Sequence, residues 1–266
     1  MAVAIPYFRD LFSSRKPLCQ SLFPFFGKHS VFAKKGDTVY NRDVRKEIFE
    51  INEYYHVSNK SAGREILFVD TKDFARFLYL ILHLQSSKNF PHIARAIPFF
   101  EKHGVFNTDE FLTKEIIQTR VVELSAFVIM PDHFHLVLKE VKKGGISSYM
   151  QRLQNAYAKY WNAKYKKSGH LFRGPFRSLW VNQKTELPHL SAHLHKNPKD
   201  VRGFAEKELS YPWSSYIDYV GKNRFGRLLS HEIITEEFSG AKEYKKFVEE
   251  GKMRERAFIL GKHTDL

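Results

Sequence analysis

Hydrophobic and polar residues alternate with a period of two over several short stretches of this chain and with a helical period over longer ones. Tyr54-Tyr-His-Val-Ser58 reads as a short strand. Val121–Val128 and His133–Lys139 read as an antiparallel pair joined by Met130-Pro-Asp132, and Leu179–Val181 as another strand. Between them, Phe74, Phe77, Leu78, Ile81 and Leu82 fall at helical spacing after a cap at Asp70 or Thr71, predicting a helix to about Gln85. Thr108 to Glu115 resembles a capped helix. Met150, Leu153, Tyr157 and Trp161 share one face of a helix from Ile146 to Tyr165, with Gly169 as its expected end. A last helix runs from Glu186 to Lys196, where Pro198 stops it. Strands and helices mixed in this way predict an α+β sandwich, an antiparallel sheet with helices on one face.

Residues 1–45 lack a clean period and read as an irregular extension. The main domain is expected over 46–200 with an insertion near 84–120, and 201–266 as its C-terminal helical extension. No internal repeat or low-complexity tract interrupts this order.

Charge narrows the partner. Lys and Arg outnumber Asp and Glu by 43 to 29, a formal +14, which favours a polyanion such as nucleic acid. Between Gln151 and Trp180 lie Arg152, Lys159, Lys164, Lys166, Lys167, Arg173 and Arg177 with no acidic residue, interleaved with aromatics. Cations neutralise phosphates and aromatic faces stack bases, so Arg152, Lys159, Lys166, Lys167, Arg173 and Arg177 are the candidate DNA contacts, with about half of the aromatics assigned to the core. One cysteine, Cys19, excludes an internal disulfide framework and fits a reducing cytoplasm. No apolar run is long enough for a membrane span, so a soluble, non-exported protein is expected.

The strongest chemical signal is Phe127-Val-Ile-Met-Pro-Asp-His-Phe-His-Leu-Val-Leu138. On a strand, His133 and His135 point one way and Phe134 and Leu136 the other. Two imidazoles on one face can hold a divalent metal, although a strand with two solvent-facing histidines has the same pattern.

Several ordered segments carry a family resemblance. They are Tyr55-His-Val57, Met130-Pro-Asp-His-Phe-His135, Gly169-His-Leu-Phe-Arg-Gly-Pro-Phe-Arg-Ser178, His195-Lys-Asn-Pro198, Tyr211-Pro-Trp-Ser-Ser-Tyr216 and, more weakly, Tyr244-Lys-Lys-Phe-Val248. Together they resemble the single-tyrosine HUH transposases of the insertion-sequence-200 class, closest to the REP-associated tyrosine transposases. The resemblance implies a ferredoxin-like fold, single-stranded or hairpin DNA as partner, and a prokaryotic, nucleoid-associated location in the cytoplasm. It also implies a divalent metal, Mg or Mn, held by His133, His135 and Asn197, although Asn197 also suits the helix end before Pro198. In the family, a tyrosine one helical turn before that Asn attacks the scissile phosphate.

Here the family pattern breaks. The segment reads His193-Leu-His-Lys-Asn-Pro198, so His193 stands at the nucleophile position and has no hydroxyl to form a phosphotyrosine. His193 could form a phosphohistidine, become a third nitrogen ligand, or lie inert; Tyr157 is the best-placed substitute nucleophile by sequence, although its helical spacing favours a core or base-stacking role. Three readings stay open: a hairpin-binding transposase, a metal-dependent nuclease, and a domesticated DNA- or RNA-binding module without chemistry. Monomer and homodimer are equally compatible with the sequence.

Overall fold

The computed structural model describes residues 48–250 apart from 64, 89–95, 101–108 and 184. The expected 1–45 extension, residues 89–95 and 101–108 of the 84–120 insertion and the end of the C-terminal extension lie outside the described residues. Four strands form one sheet: β1 (Tyr54–Lys60), β2 (Val122–Ile129), β3 (His133–Glu140) and β4 (Arg177–Val181). Their order is β2-β3-β1-β4, and every neighbouring pair is antiparallel. The long helices are α1 (Thr71–His83), α2 (Glu110–Thr119), α3 (Gly145–Tyr165) and α4 (Leu187–Lys196). β3 lies between β1 and β2, and β1 between β3 and β4, so two split βαβ units interlock as a ferredoxin-like α+β fold.

Alternation along β3 sends Phe134, Leu136 and Leu138 towards α1 and α3. Phe134 meets Phe77 of α1 with ring centroids 4.8 Å apart, and Phe77 meets Tyr157 of α3 at 5.0 Å. The Tyr149 hydroxyl donates to Ile81 O, fixing α3 along α1. The helix-periodic apolar residues of both helices are therefore core, as their spacing indicates.

Caps explain where these helices begin. At α1, Asp70 accepts from Asp73 N, and Asp73 accepts in return from Asp70 N, a reciprocal cap. Lys164 Nζ then reaches both carboxylates, at 2.8 and 2.6 Å, while Tyr160 and Tyr165 donate to Asp73. The far end of α3 is thus tied to the start of α1. At the near end of α3, Gly144 has φ +76° and offers no side-chain cap. Glu140 serves instead, accepting from Gly145 N and Ile146 N at 3.0 and 2.7 Å, where a carboxylate also complements the helix dipole. A Cβ on Gly145 would come within 2.2 Å of Val121 O, so only glycine fits.

The sheet is covered on both faces rather than on one. α4 packs on β2 from the side opposite α1 and α3, and the C-terminal segments brace it there. These are α5 (Tyr216–Val220), α6 (Glu232–Thr235) and α7 (Ala241–Glu250). The Tyr211 hydroxyl donates to Ile129 O and the Tyr219 hydroxyl to Ser125 O, at the bulge in β2 between Leu124 and Ala126. His195 of α4 is enclosed by Ser215, 2.8 Å from its Nε2, and Tyr244, 2.7 Å from its Nδ1. The uncovered stretch of that face, near the β2–β3 turn, is where the histidine pair emerges.

Candidate active site

Register determines which side chains share the histidine face. His135 lies opposite Ser58 and Val128, and Ser58 opposite Arg177, giving the row Val128, His135, Ser58, Arg177. His133 lies opposite Lys60. One row further from the turn, Val137, His56 and Leu179 align. Directly opposed residues in an antiparallel pair point to the same side, so three histidines and two cations from three strands occupy one face.

His133 Nδ1 is 2.7 Å from Asp132 Oδ1, and this hydrogen bond is the main reason that the Asp132 carboxyl lies below the usual carboxylate range. The carboxylate can only accept, so His133 carries a proton on Nδ1, and the neutral ring presents its lone pair on Nε2. The ring of His135 is 5.1 Å from that of His133 and nearly perpendicular to it. Its Nδ1 is 2.8 Å from Nε2 of His56. Burial, with a smaller contribution from charge on His193, holds His56 down at about 4. His193 itself is lowered by burial and by Lys199, with Asp200 opposing. α4 therefore carries His193 within electrostatic reach of His56, the residue that contacts His135.

Asn197 follows one turn later, where Nδ2 donates to His193 O at 2.9 Å and closes the end of α4. Its Oδ1 is the remaining side-chain donor atom for a cation. Among the described residues, no group of three or more His, Cys, Asp or Glu side chains is arranged to hold a metal ion. Imidazole nitrogens, as on His133 and His135, and an amide oxygen, as on Asn197, are donor types that suit a divalent ion with water completing its shell.

Tyr157 is placed elsewhere. It is fully buried on the α1 face of the sheet, and its hydroxyl donates to Leu67 O at 2.7 Å. Burial pushes that hydroxyl well above its ordinary pKa. The side of the sheet and the engaged hydroxyl both remove it from the histidines.

The basic stretch divides in the same way. Arg152 donates to Ser86 O and Lys88 O, at 2.5 and 2.9 Å, tying α3 to the chain after α1. Lys167 pairs with Glu65 at 3.3 Å on the surface. Lys159, Lys166, Arg173 and Arg177 are exposed. Of the interleaved aromatics, Tyr157, Trp161, Phe172 and Phe176 are buried, and Tyr160 and Tyr165 are held by Asp73. Trp180 remains exposed, with Nε1 donating to Glu53. The stretch is thus mainly a helix–sheet contact with a cationic outer rim, which ends at Arg173 and Arg177 beside the histidine row. Gly174 at φ +61° supplies the turn between those two arginines.

His56 has no role that the sequence alone assigns. Its signal is present in Tyr55-His-Val57, a histidine on a strand, but the partner strand and register are needed to place it.

Residues 98–195 match the family model described as "Transposase IS200 like". Among solved structures, one described as "Structure of the REP associates tyrosine transposase bound to a REP hairpin" is similar, with 12% identity and a TM-score of 0.45 over 73% of this chain and 94% of that chain. No curated protein matches the chain. The matched segment runs through α2, β2, β3, α3, β4 and α4 to His195, and over that segment the chain is similar to the IS200-like transposases.

Proposed function

We propose that this chain binds hairpin-forming single-stranded DNA across the histidine face of its sheet, and that it has lost cleavage through a phosphotyrosine at α4. The second half rests on His193, which by the sequence resemblance stands at the family's tyrosine position and acts electrostatically on His56, while the Tyr157 hydroxyl is engaged by Leu67 O on the opposite face. The family match and the row from His135 to Arg177 support the first half.

In this reading Arg173 and Arg177 receive backbone phosphates at the rim, where cations release condensed counterions. His133 and His135 would hold a Mg or Mn ion through Nε2, with Asn197 Oδ1 as third donor. Such an ion supplies electrophilic polarisation of a phosphate oxygen. Asp132 and His56 keep the two rings in place. His193, with its pKa lowered, is a neutral imidazole at neutral pH and can accept a proton or a hydrogen bond from the bound strand.

The test incubates wild type, His193→Tyr and the triple variant His193→Tyr/His133→Ala/His135→Ala with labelled hairpin DNA and Mn²⁺. Binding is read on native gels and covalent label on denatured protein. Wild type is expected to shift the DNA without retaining label, and His193→Tyr to gain a covalent adduct that disappears when the two histidines are also replaced. A wild-type adduct, or failure to bind any hairpin, refutes the proposal. Free 5′ and 3′ ends without an adduct would instead establish the nuclease reading.

A further inference from the structure

We propose that His56 is a positioning residue for His135: its Nε2 accepts a hydrogen bond from His135 Nδ1–H, fixing the tautomer of His135 so that Nε2 bears the lone pair at the site. His56 and His135 are diagonal neighbours on adjacent strands, because Ser58 is the direct partner of His135 and Val137 that of His56. Their ring centroids are 5.0 Å apart and their planes 22° apart. With a nitrogen–nitrogen distance of 2.8 Å, this is the spacing of two imidazoles joined edge to edge, not of a face-to-face stack.

Only one proton fits between two nitrogens, so one ring must donate. His133 provides the comparison, since its Nδ1 necessarily donates to Asp132. A donating His135 gives both HUH histidines the same form, Nδ1 held by a neighbour and Nε2 presented as a lone pair. A donating His56 would put the proton of His135 on Nε2 and leave the pair mismatched, one acceptor and one donor. Partners that hold the second nitrogen of a ligating histidine set its orientation and basicity, and their loss typically weakens metal binding about 10- to 100-fold.

The inference rests on the proposed function in one respect, that His135 serves as a lone-pair donor. Two independent readouts separate the two ideas. Imidazole nitrogen NMR on histidine-labelled protein without metal locates the proton, and Mn²⁺ titration followed by electron paramagnetic resonance measures affinity. Wild type should show His135 protonated on Nδ1 with scalar coupling across the hydrogen bond to His56 Nε2. His56→Phe keeps a ring but no acceptor, and should abolish the coupling and weaken Mn²⁺ binding about 10- to 100-fold. His56→Gln, whose amide oxygen still accepts, should recover most of that loss. A proton on His135 Nε2 in wild type overturns the proposal whatever Mn²⁺ does, as does a His56→Phe variant that melts like wild type and binds Mn²⁺ equally well. Wild type that shows the Nδ1 proton and coupling but binds no Mn²⁺ supports the positioning role and defeats only the metal reading.

Discussion

Neutralising Arg173 and Arg177 together is the sharpest test of where DNA runs, because the structure separates exposed cations from internally committed ones. Removing one phosphate contact should flatten the plot of log affinity against log salt by about 0.7 for single-stranded and about 0.9 for duplex DNA. Removing two gives about 1.4 to 1.8, so the drop in affinity between about 50 and about 200 mM salt should shrink by roughly seven- to twelvefold in the Arg173→Gln/Arg177→Gln variant. Arg152 is the internal control. Its guanidinium is held by Ser86 O and Lys88 O, so Arg152→Met should cost stability, about 1–2 kcal/mol, while leaving the slope unchanged. Lys164→Met should behave likewise, since Lys164 bridges Asp70 and Asp73. Fluorescence anisotropy of a labelled hairpin across a salt series reads the slope, and urea unfolding reads the stability. An unchanged slope in the double variant, or a drop in Arg152→Met as large as in the rim pair, would show that the DNA path lies elsewhere.

Glu140→Gln keeps one acceptor but loses the charge facing the start of α3, and should lower the unfolding free energy by about 1–2 kcal/mol; an unchanged urea midpoint would contradict the capping role. Gly145→Ala should be far more damaging, because the new Cβ meets backbone at Val121 O, and near-wild-type melting would show that α3 starts differently. Burial lowers the pKa of His83, and that of His195 to about 3, so both bind fewer protons folded than unfolded. Their stabilisation is complete above pH about 6.5 and declines below it, by up to about 1.4 kcal/mol per pH unit for each ring. For His195 the decline continues to about pH 3, so His195→Gln should show a shallower acid limb than wild type in urea midpoints taken across that range.

Local chemistry makes most elements legible in the sequence itself. The reciprocal cap at Asp70, the apolar stripes of α1 and α3 and the alternation around Phe134 are properties of adjacent residues, and each forms where expected. Boundaries shift where tertiary contacts intervene. α3 ends at Lys166 in the left-handed region, bonded back to Asn162 O, before reaching Gly169. β4 begins at Arg177 rather than Leu179 because Arg177 and Ser178 pair with Ser58 and Val57. The same stripe that predicts α3 also explains why its aromatics resemble a stacking platform, since helical spacing cannot say which sheet residues lie beneath Tyr157 or Phe172.

The site shows the limit more sharply. His133 and His135 are two residues apart, so strand alternation alone places them together. His56 is 79 positions from His135, and only the order β2-β3-β1-β4 and one register bring them to hydrogen-bonding distance. A slip of one residue between β1 and β3 would turn His56 to the opposite face, towards α1, and leave His135 without this partner. The register is held because Tyr55 and Val57 alternate with His56 and are buried in the core on that other face, so the slip would take both out of that core and put His56 and Ser58 into it. The packing of β1 against the α1 face and the geometry of the histidine face are therefore one constraint, and a site that looks like two residues in the sequence depends on the whole sheet.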